Sequence, residues 1–184
     1  MRPKNRTRGF TAWLTALVAT LLALPALAGT FIDFEGTGTV QRLGPPDEFG
    51  NLPLFATGDY AFNGIPGWTL QSPFSFNLGA GTGVGTFAFA NNGDSLFGSL
   101  TSSWLLMNQQ PVGFNLLYSI TGGTGMYSGA RGSGASAVLL LGDPNDPPTP
   151  YWETGRFHVP EPGTLALLGL GLAAVGLSRR RRAD

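Results

Sequence analysis

Asp33 and Glu35 stand two residues apart in the β-rich stretch Thr30-Phe-Ile-Asp-Phe34. On a strand, such a pair shares a face with about 7 Å between residues. Glycosidases hold their two carboxylates ~5 to 9.5 Å apart, but a solvated strand edge explains the pair without catalysis. Asp143-Pro-Asn-Asp146 offers the oxygen ligands that Ca²⁺ prefers. It lacks the EF-hand spacing and the distal bidentate Glu, and the prolines around it mark a surface loop, so calcium binding there stays open. His158 has no Cys and no second His with which to share a metal. No Gly-x-Ser-x-Gly elbow accompanies it, so a hydrolase triad is not expected. Gly123-Thr-Gly125 and the run 79–85 are glycine-rich like phosphate cradles. Neither lies between a strand and a helix, and no Lys follows, so both read as turns. Trp68, Trp104, Tyr151 and Trp152 could stack on sugar rings, but filling of a small β core is the preferred role. No catalytic, cofactor-binding or metal-ligating residue is therefore assigned, and no enzymatic activity is expected.

The elements that would position these side chains are strands. Within residues 29–158 no stretch of twelve or more residues free of Gly and Pro carries 3.6-residue apolar spacing. Thr86-Phe-Ala-Phe-Ala90 alternates, with Phe87 and Phe89 on one face. Residues 112–121 put Phe114, Leu116, Tyr118 and Ile120 on one face. Residues 30–34, 95–107 (one long strand, or a strand and a bend at Gly98), 136–141 and 151–159 complete the set. Clusters of Gly, Pro, Asn and Asp separate the runs. Seven to nine short strands divided by turns predict an all-β antiparallel barrel or sandwich. Residues 36–66 look less regular and read as loops over one barrel mouth.

Ser119-Ile-Thr-Gly-Gly-Thr-Gly-Met-Tyr-Ser-Gly-Ala-Arg-Gly-Ser-Gly-Ala135 resembles a hairpin of the dirigent and allene oxide cyclase proteins, with Asn92–Gly98 suited to an earlier strand. Those proteins are eight-stranded antiparallel barrels, so the resemblance favours a barrel over a sandwich. It carries no ligand-handling residue over to this chain.

Composition narrows the function classes. Only 12% of the residues are charged and 28 of 184 are Gly, against about 25% charged and 7% Gly in ordinary domains. A coiled coil, a helical bundle and a charged disordered tail are excluded. The absence of Cys excludes a disulfide scaffold and a thiolate metal site. The formal net charge of zero hides three unlike parts. Arg2, Lys4, Arg6 and Arg8 crowd one end, and Arg179, Arg180, Arg181 and Arg182 crowd the other. Between Gly29 and Val159 three bases face nine acids, a net charge of −6. Such a body repels phosphate, so no nucleic-acid partner is expected.

Each basic cluster adjoins an apolar run. After Arg8 comes an apolar stretch to about Pro25, then Ala26-Leu27-Ala28. A basic n-region, a short apolar h-region and a small-x-small site form a secretory signal. It predicts a signal helix in residues 1–28 and cleavage by signal peptidase between Ala28 and Gly29, with 29–158 as the exported domain.

The remaining segment, 159–184, opens on Val159-Pro160-Glu161-Pro162-Gly163, continues as an apolar run and ends in Ser178 and four Arg. Residues 163–178 would span about 24 Å as a helix, slightly short of a ~30 Å hydrocarbon core. The Arg cluster acts as a stop-transfer signal on the cytoplasmic side. Two prolines fix φ and remove backbone donors, and each pushes its predecessor to extended geometry. Pro160-Glu161-Pro162 is thus presented as an extended strand that a protease can grip.

Tripeptide, short apolar helix and terminal Arg cluster together resemble the PEP-CTERM sorting signal of Gram-negative bacteria. The resemblance implies processing by an exosortase, transient residence in the inner membrane, and release or attachment outside the cell. It also implies association with exopolysaccharide and biofilm. The leading expectation is an exported surface or matrix protein without catalytic activity. The alternative is a barrel binding an apolar small molecule, in a cavity of roughly 300 Å³ or more. A barrel enzyme such as a cyclase comes third and would need converging acids with shifted pKa values.

Overall fold

A computed structural model describes residues 29–143 and 147–160. Eight strands follow in order: β1 (Gly29–Arg42), β2 (Asn51–Phe62), β3 (Ile65–Asn77), β4 (Thr82–Asn91), β5 (Asp94–Met107), β6 (Gln110–Thr124), β7 (Gly132–Leu140) and β8 (Thr149–Pro160). Successive strands pair antiparallel and the sheet closes into a barrel. The fold is thus the closed antiparallel barrel, not the sandwich. The expected signal and membrane helices lie outside the described residues.

The strands follow the period-2 rule that puts alternate side chains on opposite faces. Leu52, Leu54, Ala56, Tyr60 and Phe62 point inward from β2, and Phe114, Leu116, Tyr118 and Ile120 from β6. Two of the turns carry Asn-Gly pairs with positive φ at both residues, Asn63-Gly64 (49° and 77°) and Asn92-Gly93 (46° and 93°). That is the conformation whose twist suits a two-residue hairpin. Residues 95–107 belong to one long strand, with a register shift between Phe97 and Gly98, where β6 carries one extra residue.

One sequence expectation fails. Residues 36–66 are mostly strand, not loops over a mouth: β1 runs unbroken to Arg42 and β2 spans Asn51–Phe62. The glycines that made this region look irregular stand at strand positions where large neighbours need room. A methyl group on Gly38 would stand 2.7 Å from Tyr151 Oη, and one on Gly58 2.8 Å from the same atom. Glycine here admits the Tyr151 ring to the interior instead of breaking the strand.

The barrel has two unlike ends. At one lie the 63–64 and 92–93 turns, the β6–β7 connection with its 3-10 turn Gly125–Tyr127, and the residues where β1 begins and β8 ends. Its interior is filled by aromatic rings. Phe34 stacks on Phe157 at 4.4 Å and Phe62 on Trp68 at 4.3 Å, and Phe89 meets Phe62 edge-on at 5.2 Å. The two stretches that resemble the dirigent hairpin meet here, where Asp94 Oδ1 accepts the Met126 N–H at 2.9 Å. At the other end lie the loops 43–50, 78–81 and 108–109 and the described loop residues 141–143 and 147–148.

Candidate functional site

Glu153 lies inside the barrel. Along β8 the alternation places Tyr151, Glu153, Phe157 and Val159 inward and Trp152, Thr154 and Arg156 outward. Glu153 is 1% exposed, and a buried carboxylate needs partners for its lone pairs. Three hydroxyls supply them. Tyr118 Oη donates to Oε1 at 2.5 Å and Ser136 Oγ donates to the same oxygen at 2.6 Å. Tyr60 Oη donates to Oε2. Tyr60 and Tyr151 share a further hydrogen bond at 2.9 Å, and Tyr151 Oη reaches the Thr57 carbonyl at 3.3 Å. The four hydroxyls of the cluster come from β2 (Tyr60), β6 (Tyr118), β7 (Ser136) and β8 (Tyr151), and barrel closure is what brings these strands around one point.

Burial holds the Glu153 carboxyl above its usual value, against the lowering effect of hydrogen bonds from Ser136, Tyr118 and Tyr60. Burial also pushes the Tyr60 and Tyr118 phenols up, and the nearby Glu153 charge adds to it. Tyr151 is raised mainly by burial. The proton count works in two ways. With Glu153 ionised, Tyr60 donates to it and Tyr151 donates to Tyr60. With Glu153 protonated, it donates to Tyr60, Tyr60 to Tyr151 and Tyr151 to Thr57. The same oxygens serve both states, so either protonation state of Glu153 is satisfied without moving a heavy atom.

One space adjoins this cluster and a second lies beyond it, toward the loop end. A cavity of about 30 Å³ touches Tyr118, Tyr151 and Glu153 and is otherwise walled by apolar residues and Ser72. It holds about one water molecule. A second cavity, of about 180 Å³, lies at the loop end of the barrel among Leu52, Leu54, Phe76, Trp104 and Leu140, with Arg42 and Thr149 at its edge. Val40 and Phe114 line both. Phe114 stacks on Trp104 at 5.2 Å and meets Phe76 edge-on at 5.1 Å. Leu43, Phe49, Leu78, Leu106, Met107 and Leu141 are exposed on the strand ends and loops at this end, giving the mouth an apolar rim. Asp47 braces that rim by accepting the Phe49 and Asn51 N–H groups at 2.9 and 2.8 Å. Neither cavity reaches the 300 Å³ expected of a binding barrel, and one acid among tyrosines stands where a barrel enzyme was expected to show converging acids.

The residues singled out in the sequence are elsewhere. Asp33 and Glu35 are both exposed on the outer face of β1, not on a sheet edge, because the barrel has none. Asp33 pairs with Arg156, whose hydrogen bond holds its carboxyl below the usual range. His158 is half-buried against the Phe31 ring at 4.9 Å. Trp68 and Tyr151 are buried and Trp104 lines the mouth, as core filling requires, but Trp152 is exposed on the outside. Gly123 and Thr124 are the last residues of β6, Gly125 opens the 3-10 turn, and residues 79–85 form a turn and the start of β4. Asp143 is exposed in the β7–β8 loop, and Asp146 lies outside the described residues. Among the described residues no three His, Asp or Glu side chains converge on a metal position. Gly29 opens β1 and Pro160 closes β8. Ala26, Ala28, Glu161, Pro162 and Arg179 to Arg182 lie outside the described residues.

Glu153 entered the sequence reading only as one of the nine acids of the net charge. The signal was its parity: Tyr151-x-Glu153-x-Gly155-x-Phe157-x-Val159 sets it in phase with the apolar residues of its own strand.

Residues 158–182 match the PEP-CTERM protein-sorting motif. No curated protein and no solved structure matches the chain. The motif implies export, a membrane-anchored C-terminal sorting signal and processing by an exosortase. The dirigent-like resemblance of the body gains no support beyond the shared count and direction of strands.

Proposed function

We propose that this chain is an exported barrel delivered to the cell surface or extracellular matrix by exosortase processing, and that it acts there without catalysis. Signal peptidase removes residues 1–28. The C-terminal segment then holds the chain in the inner membrane until the exosortase cuts near Pro160-Glu161-Pro162. The observation that carries this reading is where the sorting motif falls. It begins at residue 158, in the last three residues of β8, so a cut beyond Pro160 leaves every strand of the barrel intact. Exopolysaccharide is the partner this reading favours outside the cell. Replacing Pro160, Glu161 and Pro162 together by Ala tests it. The triple variant is expected to accumulate in the membrane fraction while the unaltered chain reaches the medium or the outer surface. Equal release of both would refute it.

A second reading, a barrel that binds a small apolar molecule, is favoured by one observation. The 180 Å³ cavity opens between apolar rim residues on the side of the barrel interior that holds Glu153. A cavity of about 150 Å³ is enough for benzene, so the fitting ligand is of one-ring size.

A further inference from the structure

Resting on that second reading, we propose that Glu153 makes the barrel selective for a single-ring ligand bearing a hydroxyl donor, a phenol in the first instance. A carboxylate has about four lone-pair sites, two on each oxygen. Tyr118 and Ser136 fill both sites on Oε1, while Tyr60 fills one on Oε2. One acceptor site on Oε2 remains. Glu153, Tyr118 and Tyr151 line the inner cavity, which is separated from the mouth by side chains that line both spaces, Val40 and Phe114. The mouth supplies aromatic and aliphatic walls for a ring. The polar atoms beyond Phe114 supply a destination for one hydroxyl.

The inner cavity is apolar apart from Ser72, the two phenols and the carboxylate. A ligand without a donor gains only the contact of the mouth. One with a hydroxyl also gains a charge-assisted hydrogen bond, stronger than a neutral one. Entry requires the Phe114 ring to turn away from its stack on Trp104, so binding should alter the environment of that indole.

The test titrates 4-methylphenol and 4-fluorotoluene, near-equal in shape but differing in the donor, into the full chain held in lipid nanodiscs, with empty discs as the blank. The phenol is expected to bind at least tenfold more tightly. Glu153→Gln should cut that preference at least fivefold while leaving 4-fluorotoluene binding in place. Leu52→Phe, which narrows the mouth away from Glu153, should weaken both probes alike. Saturable binding of both with equal affinity would overturn the donor selectivity and leave the binding barrel standing. Failure of 4-methylphenol to saturate would overturn both. If Glu153→Gln does not fold, the ratio in the unaltered chain and the Leu52→Phe result still decide.

Discussion

The two ends of the barrel interior use aromatic residues for opposite purposes. At the end where β1 begins and β8 finishes, Phe34, Phe62, Phe87, Phe89 and Phe157 pack ring against ring and are nearly inaccessible. Toward the loop end, Phe76, Phe114 and Trp104 also stack, but around open space, and below them tyrosines turn hydroxyls onto a carboxylate. A barrel of eight strands encloses a core just wide enough for side chains to fill. One end fills it with rings and with aliphatic side chains such as Ile32, Leu96 and Ile120. The other leaves part of it unfilled and spends several positions on polar groups. A chain without disulfides has to take its stability from the first end, which leaves the second free to carry function.

This contrast breaks first if the closed end is not the stable one. Phe89→Ala should cost about 3–5 kcal/mol, the usual loss for a fully buried ring, read from urea midpoints at constant m. Trp104→Ala at the mouth should cost less than half as much, because the indole is already partly exposed and its loss only widens an existing cavity. Equal losses would mean that the two ends are packed alike.

The next largest effect tests the polar cluster through pH. Glu153 has a raised carboxyl in the folded chain, so the fold holds its proton more tightly than the unfolded chain does. Its contribution to stability is full below the ordinary value of 4.5 and is lost as pH rises from there through the native value. Tyr60, Tyr118 and Tyr151 behave likewise above the ordinary phenol value of 10.0. Asp33 and Asp47 run the other way, since hydrogen bonds from Arg156 and Asn51 lower both; their contribution is lost as pH falls through and below 3.8. Unfolding followed by circular dichroism should therefore show a decline starting above pH 4.5 that is absent in Glu153→Gln. A decline of the same size in both proteins would place its origin elsewhere.

How much of this was readable beforehand differs between the two ends. The closed end declared itself through Phe87 and Phe89, because apolar alternation is a local signal that survives in the bare sequence. The polar end did not. Gly36, Gly38 and Gly58 looked like loop residues, yet they are strand positions emptied so that Tyr60 and Tyr151 can fit. That is a relation between strands, and no single stretch of sequence contains it. The Asn63-Gly64 pair was the local clue that a hairpin, not a loop region, lay there. Glu153 and its partners come from strands as far as 93 residues apart, so their meeting follows only from closure of the sheet.

Smaller effects sharpen the same comparison. Gly58→Ala should destabilise by about 1–3 kcal/mol, the range for overpacking, since the added methyl meets both the Thr37 carbonyl and Tyr151 Oη. An unchanged melting temperature would show that the tyrosines do not need that space. Gln109→Gly should act in the opposite sense. Gln109 holds φ at 65° in the tight turn beside the mouth, a left-handed conformation that costs a non-glycine residue roughly 1–2 kcal/mol. Part of that cost is offset by the greater freedom of Gly in the unfolded chain, so the expected gain is about 0.5–1 kcal/mol.

The delivery of the barrel rests on where the chain is cut. Intact-mass spectrometry of the protein recovered from outside the producing cells reads both ends at once. The account predicts a polypeptide that starts at Gly29 and stops within a few residues of Pro162, its eight strands complete. Recovery of a chain still bearing Arg179 to Arg182, from cells with an active exosortase, would contradict it.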